Sequence, residues 1–336
     1  MFLNRFKSSL KSLAYASGLL GWWHRRRNAD ALTVFMFHRV LPRDSAAYAA
    51  AEKEFTFSVE GFGLCLDFIR RHYSLVSVAD VEMAIAGQRA LPPCPALITF
   101  DDGWRDTLLH ACPQLKARNM HALLFLATEI LESRSPQWWQ DMLVRVLEQP
   151  AQAQQLRQRL GLPALQEQGR SREHDHAVAG AVAALPLAER LALLAEFLPP
   201  AELEAQMLST QEVQAADRTC IEFGAHGHTH APLTTLVRPE LELQQSHALL
   251  ASLQPGVSSM SFPHGAYTEA IVQQAAQAGF RLIFTSDPAL LDMKQPGDGR
   301  RIGRIHIPEN EWTTESGRIS FPKLATFLFF RPQASQ

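Results

Sequence analysis

Short apolar runs alternate along most of this chain with amphipathic stretches, and that alternation restricts the fold more than any other feature. The runs predict strands at 33–38, 96–101, 122–127, 221–226, 258–262, 282–285 and 302–307. Between them, 62–72, 107–118, 238–252 and 267–278 have the spacing of helices with one apolar face. Strands separated by helices in this way form a parallel sheet or barrel with helices outside. "LITF", "LLFLA" and "LIFT" are apolar nearly throughout, as strands covered on both faces should be. The 336 residues suffice for one large α/β domain or two ordinary ones.

The rhythm breaks between 134 and 217. "WWQDMLVRVLEQPAQAQQLRQRL" and "LPLAERLALLAEFLPPAELEAQML" are rich in Ala, Leu and Gln, with helical periodicity and no convincing strand. The polar "QEQGRSREHDHAVAG" between them reads as a loop, so His174 and His176 are expected to be exposed and not metal ligands. The expected organisation is a basic amphipathic segment at 1–30, a barrel built from 31–133 and 218–320, and a helical insertion at 134–217. Trp138 and Trp139 open the insertion and read as anchors of a helix.

Charge and cysteine usage exclude some roles. A formal net charge of −2 gives no reason to expect a nucleic-acid partner. Cys65, Cys94, Cys112 and Cys220 are scattered with no CxxC pair, which argues against a disulfide framework and for a reducing, cytoplasmic compartment. At the N-terminus the apolar stretch 13–23 is broken by Ser17 and Gly18, unlike a signal-peptide core. It is also shorter than the roughly 20 residues of a membrane span. Phe2, Phe6, Leu10 and Leu13 recur at helical spacing, with Arg5, Lys7 and Lys11 interleaved and Trp22-Trp23 ahead of Arg25 to Arg27. That pattern reads as an amphipathic helix in peripheral contact with the inner membrane face, the alternative being a helix packed on the domain's own surface. The tail "FPKLATFLFFRPQ" is apolar and basic in the same way.

Two short stretches carry chemistry. "ALITFDDG" ends a strand in Asp101-Asp102, where successive side chains on a strand point to opposite faces. Gly103 allows a sharp turn, and reactive groups in barrels gather at the C-terminal ends of strands. The bland alternative is a helix cap at Asp102 or Asp106. "EFGAHGHTHAPL" sets His226, His228 and His230 after another apolar run. Three alternating imidazoles suit a borderline-soft cation such as zinc, and one acid with two histidines leaves coordination positions open for water and substrate.

With "SFPHGAY" (261–267) following "TFDDG" (99–103) and "HGHTH" (226–230), the chain resembles the metal-dependent polysaccharide deacetylases, carbohydrate esterase family four. "FMFHRVLP" (35–42) is similar to the opening of exopolysaccharide-associated members. The resemblance covers roughly 32–310 apart from the insertion. It implies an α/β fold, a distorted (β/α) barrel of about seven strands carrying the helical insertion. It implies Asp101 as general base and Asp102, His226 and His230 as ligands of a divalent metal: zinc, or else cobalt, nickel or another divalent ion. It implies a backbone N–H oxyanion donor at His264, after Pro263, with Tyr267 completing that substrate-binding motif. His306 is the nearest match to the family's general acid, and His38, ending the first strand, is the alternative.

Five positions depart from the family pattern, one of them His264, which stands where the family motif has Tyr and keeps the backbone donor while changing the groove wall. Gly227 replaces a hydroxyl residue expected to steady the ligand loop, and Ser261 stands where an Arg would orient the base. Arg304 replaces a Leu two residues before His306, and Asp287 is a weak match to an acidic motif on the preceding strand. The implied function is hydrolytic removal of N-acetyl groups from a surface polysaccharide or its lipid-linked precursor, with an N-acetylated oligo- or polysaccharide as partner. An O-acetyl esterase or amino-sugar deformylase, and a non-catalytic carbohydrate-binding protein on a degenerate barrel, are the alternatives.

Overall fold

The computed structural model describes residues 2–132, 138–163, 172–198, 205–297, 300–313 and 319–334. The chain divides into two compact units, Met1–Thr128 with Gln214–Gln336 and, between them in sequence, Glu129–Val213.

The first unit is built on parallel strands β1 (Ala31–Phe37), β2 (Pro95–Phe100), β3 (Ala122–Leu126), β4 (Ile221–Ala225), β5 (Ser259–Ser261), β6 (Leu282–Phe284), β7 (Arg301–Ile302) and β8 (Ile305–His306). They neighbour one another in chain order from β1 to β7, and β8 returns to pair with β1, Phe35 opposite Ile305. The result is a nearly closed, barrel-like sheet. Every residue of β1, β2 and β3 is buried, as two-sided cover by helices and barrel interior requires.

The expected last strand at 302–307 is broken in two. β7 pairs with β6, and β8 pairs with β1, so two short strands share one position in the ring. Gly303 sits at the break. A Cβ there would lie 2.5 Å from the Asp287 carbonyl oxygen and 2.7 Å from that of Ala289, so only glycine lets the chain pass so close. Arg304, the residue after it, is buried in the barrel.

Helices cover the sheet where the amphipathic pattern puts them. Helix Val59–His72 is started by Ser58, whose hydroxyl accepts from Gly61 N, and it buries Phe62, Leu66 and Ile69. Helices Pro239–Leu253 and Glu269–Gln277 follow β4 and β5. Leu32, Val34, Leu97, Phe125 and Phe284 belong to one apolar cluster of the barrel. All four cysteines are free and buried. No helix among the described residues is long and apolar enough to cross a membrane.

The second unit is helical: Trp139–Glu148, Pro150–Arg159, Arg172–Ala183 and Leu187–Ala195 pack around Leu143, Val146, Leu156, Val178 and Leu194. The expected loop is corrected over part of its length, since Arg172–Ala183 is a helix and carries His174 and His176. Ala and Val in its second half supply an apolar face that the polar first half obscures in sequence. Residues 166–171 of that stretch lie outside the described residues. Trp139 packs into this unit's core, under the Arg190 guanidinium 5.2 Å from its ring centroid.

Phe284 is fully buried in the barrel cluster, while Leu64 on the outer face of helix Val59–His72 is 43% exposed. Phe284→Ala is expected to lower unfolding free energy by about 3–5 kcal/mol, and Leu64→Ala by about 0.5 kcal/mol or less, as read from urea denaturation of the full chain.

Candidate metal centre

β2 stops at Phe100, one residue before the acid pair, although Asp101 N still donates to the Phe37 carbonyl of β1. Asp102 then turns into the left-handed region (φ 73°), followed by Gly103 at φ 96°. The two carboxylates therefore diverge because the backbone reverses at Asp102, and not through strand alternation, which was the expectation from sequence. Neither Asp102 nor Asp106 caps a helix with its side chain. Asp106 is buried against Arg39 (Nε to Oδ2, 2.8 Å) and accepts from Val40 N. The Arg39 guanidinium lies 3.8 Å from the centroid of the Trp104 ring, and the Trp104 indole N–H donates to Asp102 Oδ2 at 2.9 Å. Oδ1 of Asp102 is left facing the histidines.

The histidine loop follows β4. His226 Nδ1 lies 2.7 Å from the Ser261 hydroxyl and 3.1 Å from the Ser261 carbonyl oxygen. A carbonyl can only accept, so Nδ1 carries the proton and Nε2 keeps its lone pair. Burial, outweighing the nearby Asp101 carboxylate, pushes the His226 pKa down to about 4, so the ring is neutral at ordinary pH. His226 Nε2 is 3.5 Å and His230 Nε2 3.2 Å from Asp102 Oδ1. The three ligand-capable atoms all lie within 4.8 Å of one another. Tetrahedral coordination with bonds of about 2.0–2.2 Å would set such atoms roughly 3.3–3.6 Å apart, so the donor set fits a small divalent cation. Burial opposes ionisation of Asp102, but the hydrogen bond and charge of His230 outweigh it and hold the carboxyl well below the usual range. His228 is outside this group: its Nδ1 is hydrogen-bonded to the Thr128 hydroxyl at 3.0 Å.

Gly227 does not leave the loop unsupported. Its φ of 70°, with Pro263 Cγ 3.1 Å from where a Cβ would sit, makes glycine the fitting residue. The steadying group comes from Glu242 on helix Pro239–Leu253, whose carboxylate accepts from His228 N (2.8 Å), Thr229 N (2.9 Å) and the Thr229 hydroxyl (2.9 Å). His230 itself is held at φ 62°.

Asp101 is 3% exposed and meets Arg304 in a two-pronged pair, Nη1 to Oδ1 at 2.6 Å and Nη2 to Oδ2 at 2.8 Å. Arg304 Nε donates to the Thr285 carbonyl, and its guanidinium stands 5.2 Å from the Phe125 ring centroid. Burial works to raise the Asp101 pKa, and the Arg304 charge overrides it and keeps the carboxyl ionised. Arg304, a departure in sequence, thus supplies the guanidinium that holds the Asp101 carboxylate, and it comes from the closing strand and not from position 261. Ser261 is bonded to His226 instead.

The remaining candidates lie around this core. His38 Nε2 is 3.9 Å from Asp101 Oδ2. His306 stands beyond it, ring centroids 5.8 Å apart, with Nε2 bonded to the Glu54 carbonyl at 3.0 Å. Burial, and then the neighbouring His38, lower the His306 pKa to about 4. Pro263 is buried, and His264 after it adopts φ 56° and brings its exposed ring within 4.6 Å of the His230 ring. The Tyr267 ring stacks on Phe262 and its hydroxyl donates to Asp287 Oδ2 at 2.5 Å, tying that acid to the same wall. Sequence reasoning missed Arg304 and Glu242. The only available signals were an arginine inside a closing strand and a lone acid early in an amphipathic helix.

Replacing Arg304 with Met leaves a buried carboxylate without its counter-charge and is expected to cost about 3–5 kcal/mol of stability. Adding Asp101→Asn to that variant should recover part of the loss. Equal denaturation midpoints for the single and double variants would show that the two side chains are not coupled.

No protein-family model matches the sequence, and no curated protein matches it. Solved structures match along most of its length. IcaB from Ammonifex degensii is 20% identical with a TM-score of 0.56, over 90% of this chain and 98% of that one. The Streptococcus pyogenes deacetylase PplD, in complex with acetate, is 16% identical with a TM-score of 0.57, over 84% and 94%. A de-N-acetylase from Aggregatibacter actinomycetemcomitans is 17% identical with a TM-score of 0.54, over 86% and 98%. The barrel of this chain is the polysaccharide deacetylase fold.

Proposed function

We propose that the chain is a metal-dependent hydrolase that removes N-acetyl groups from a surface polysaccharide or its lipid-linked precursor. The observation that carries this reading is an ionised carboxylate, Asp101, locked by Arg304 beside an Asp102–His226–His230 donor set at one barrel mouth. A structural ion pair needs no adjacent donor set, and a structural metal site needs no carboxylate held off the ligands. The names of the matched deacetylases point the same way.

Asp102, His226 and His230 would hold the metal, with zinc the first choice for two imidazoles and a carboxylate. When bound, the ion would supply Lewis acidity, polarising the acetyl carbonyl and easing deprotonation of water. Asp101 is the general base: ionised, buried and fixed in orientation, it accepts the proton of the attacking water. The backbone N–H after Pro263 faces the developing oxyanion. His38 is the general acid that protonates the departing amine. It stands beside Asp101, whereas His306 is bonded to a backbone carbonyl and stays neutral over the working pH range. Tyr267 and His264 form the wall against the sugar. The four buried thiols support a cytoplasmic site of action.

Acetate release from a panel of N-acetylated oligosaccharides, with O-acetylated ones in parallel, tests this reading. A chelator should abolish turnover and Zn²⁺ restore it. Asp101→Asn should lower kcat at least about 100-fold with bound zinc retained. His38→Gln should cost a comparable factor and His306→Gln far less. Undiminished acetate release by Asp101→Asn would overturn the assignment.

A further inference from the structure

The two chain ends differ from the rest of the molecule in charge. Residues 1–29 and 319–336 contain eight Lys and Arg and no Asp or Glu, in a chain with 32 Lys and Arg and 34 Asp and Glu overall. The fold brings these ends together. Helices α1 (Phe2–Ala16), α2 (Leu19–Arg27) and α3 (Phe321–Phe329) pack on one another. The Tyr15 ring lies 6.5 Å from Phe321, Trp23 stacks on Phe330 at 6.2 Å, and Arg27 donates to the Phe329 carbonyl.

What this surface shows to solvent is apolar as well as basic. Leu10, Leu13, Leu19, Trp22, Trp23 and Phe330 are between 42% and 67% exposed, six of the twelve large apolar side chains exposed among the described residues. Single exposed apolar residues are ordinary, but half of them on three adjoining helices are not. Lys11, Arg25, Arg26 and Lys323 are exposed among them, with the Arg26 guanidinium 5.3 Å from the Trp22 ring centroid. Aromatic and aliphatic side chains with cations and no acid are the chemistry of a helix surface seated in anionic headgroups. A second copy of the chain would bring this uniformly cationic face against itself, which like-charge repulsion opposes.

We propose that α1, α2 and α3 together form one docking surface for an anionic lipid bilayer, placed at the end of the barrel opposite the metal-site mouth. The placement follows from topology. α2 ends at Arg27 and β1 begins at Ala31, so α2 abuts the N-terminal end of β1. α3 leads into 333–334, which pairs with 290–291, and that segment pairs with the first residues of β1. Asp101, Asp102 and the histidines follow the C-terminal ends of β2 and β4. The seven residues of β1 put roughly 20 Å between the two ends. Docked this way, the mouth opens away from the bilayer and takes sugars held well out from the lipid, not the one next to it.

Vesicle co-sedimentation of the full chain tests the surface without any readout of catalysis, so its failure is separate from failure of the hydrolytic reading. Phosphatidylglycerol-containing vesicles should bind the protein, and pure phosphatidylcholine vesicles far more weakly. Leu10→Ser, Leu13→Ser and Trp22→Ser combined should weaken binding on the order of 100-fold, and Lys11→Glu with Arg26→Glu about 25-fold or more at low salt. Circular dichroism and the urea denaturation midpoint, unchanged in these surface variants, exclude misfolding. On vesicles, amide hydrogen exchange should slow in 9–29 and 319–331 and stay unchanged in 226–231 and 263–268. Equal binding to neutral vesicles, unaltered binding by the variants, protection of the mouth, or dimerisation through this face without vesicle binding would each overturn the proposal.

Discussion

The barrel mouth depends on one buried ion pair. Asp101 and Arg304 come from the two separate sequence segments of the unit and are both removed from water, where an unpaired charge would cost several kcal/mol. Each therefore requires the other, and each fixes a different part of the fold. Asp101 marks where β2 ends, and Arg304 marks where the closing strand breaks. Thr99, one pleat earlier on β2, lies 3.4 Å from the same guanidinium through its hydroxyl, which itself donates to the Phe35 carbonyl of β1. β1, β2, β6 and the closing strand are thus tied through a single side chain inside the barrel.

Around that pair the backbone is held in unfavourable conformations by hydrogen bonds from further away. Among the described residues five non-glycine positions have positive φ, and Asp102, His230 and His264 are three of them, all at the mouth. Each such residue costs of order 1–3 kcal/mol and persists only where its surroundings over-determine it. Trp104, itself covered by Arg39 and through it Asp106, holds the Asp102 carboxylate. Glu242 holds the amides leading to His230. These contacts have the character of preorganisation: hydrogen bonds from neighbouring side chains fix the Asp102 carboxylate and the backbone that leads to His230.

The alternation of apolar runs and amphipathic helices was enough to read the barrel, because burial on both faces of a parallel strand leaves a direct mark on composition. The donor residues were also legible, since Asp102, His226 and His230 lie in two compact motifs at strand ends. What holds them was not. Glu242 acts across a helix–loop contact and Arg304 across the barrel interior, and neither relation is visible in local spacing. Arg304 was hidden further because it takes a buried, inward position, as Ile302 does two residues earlier, where the pattern leads one to expect an apolar side chain. The helix at Arg172–Ala183 escaped because its first turns are polar and its apolar face is made of alanine and valine.

The broken closing strand has a consequence for how the molecule responds to heat. β7 and β8 are two residues each, so the ring is sealed by very little backbone pairing. Segments with few hydrogen bonds open locally at free energies well below that of global unfolding. Arg304 sits at this seam, and each opening withdraws its charge from Asp101. Whatever reaction the mouth performs, it is expected to fail on heating when this seam opens, before the core melts.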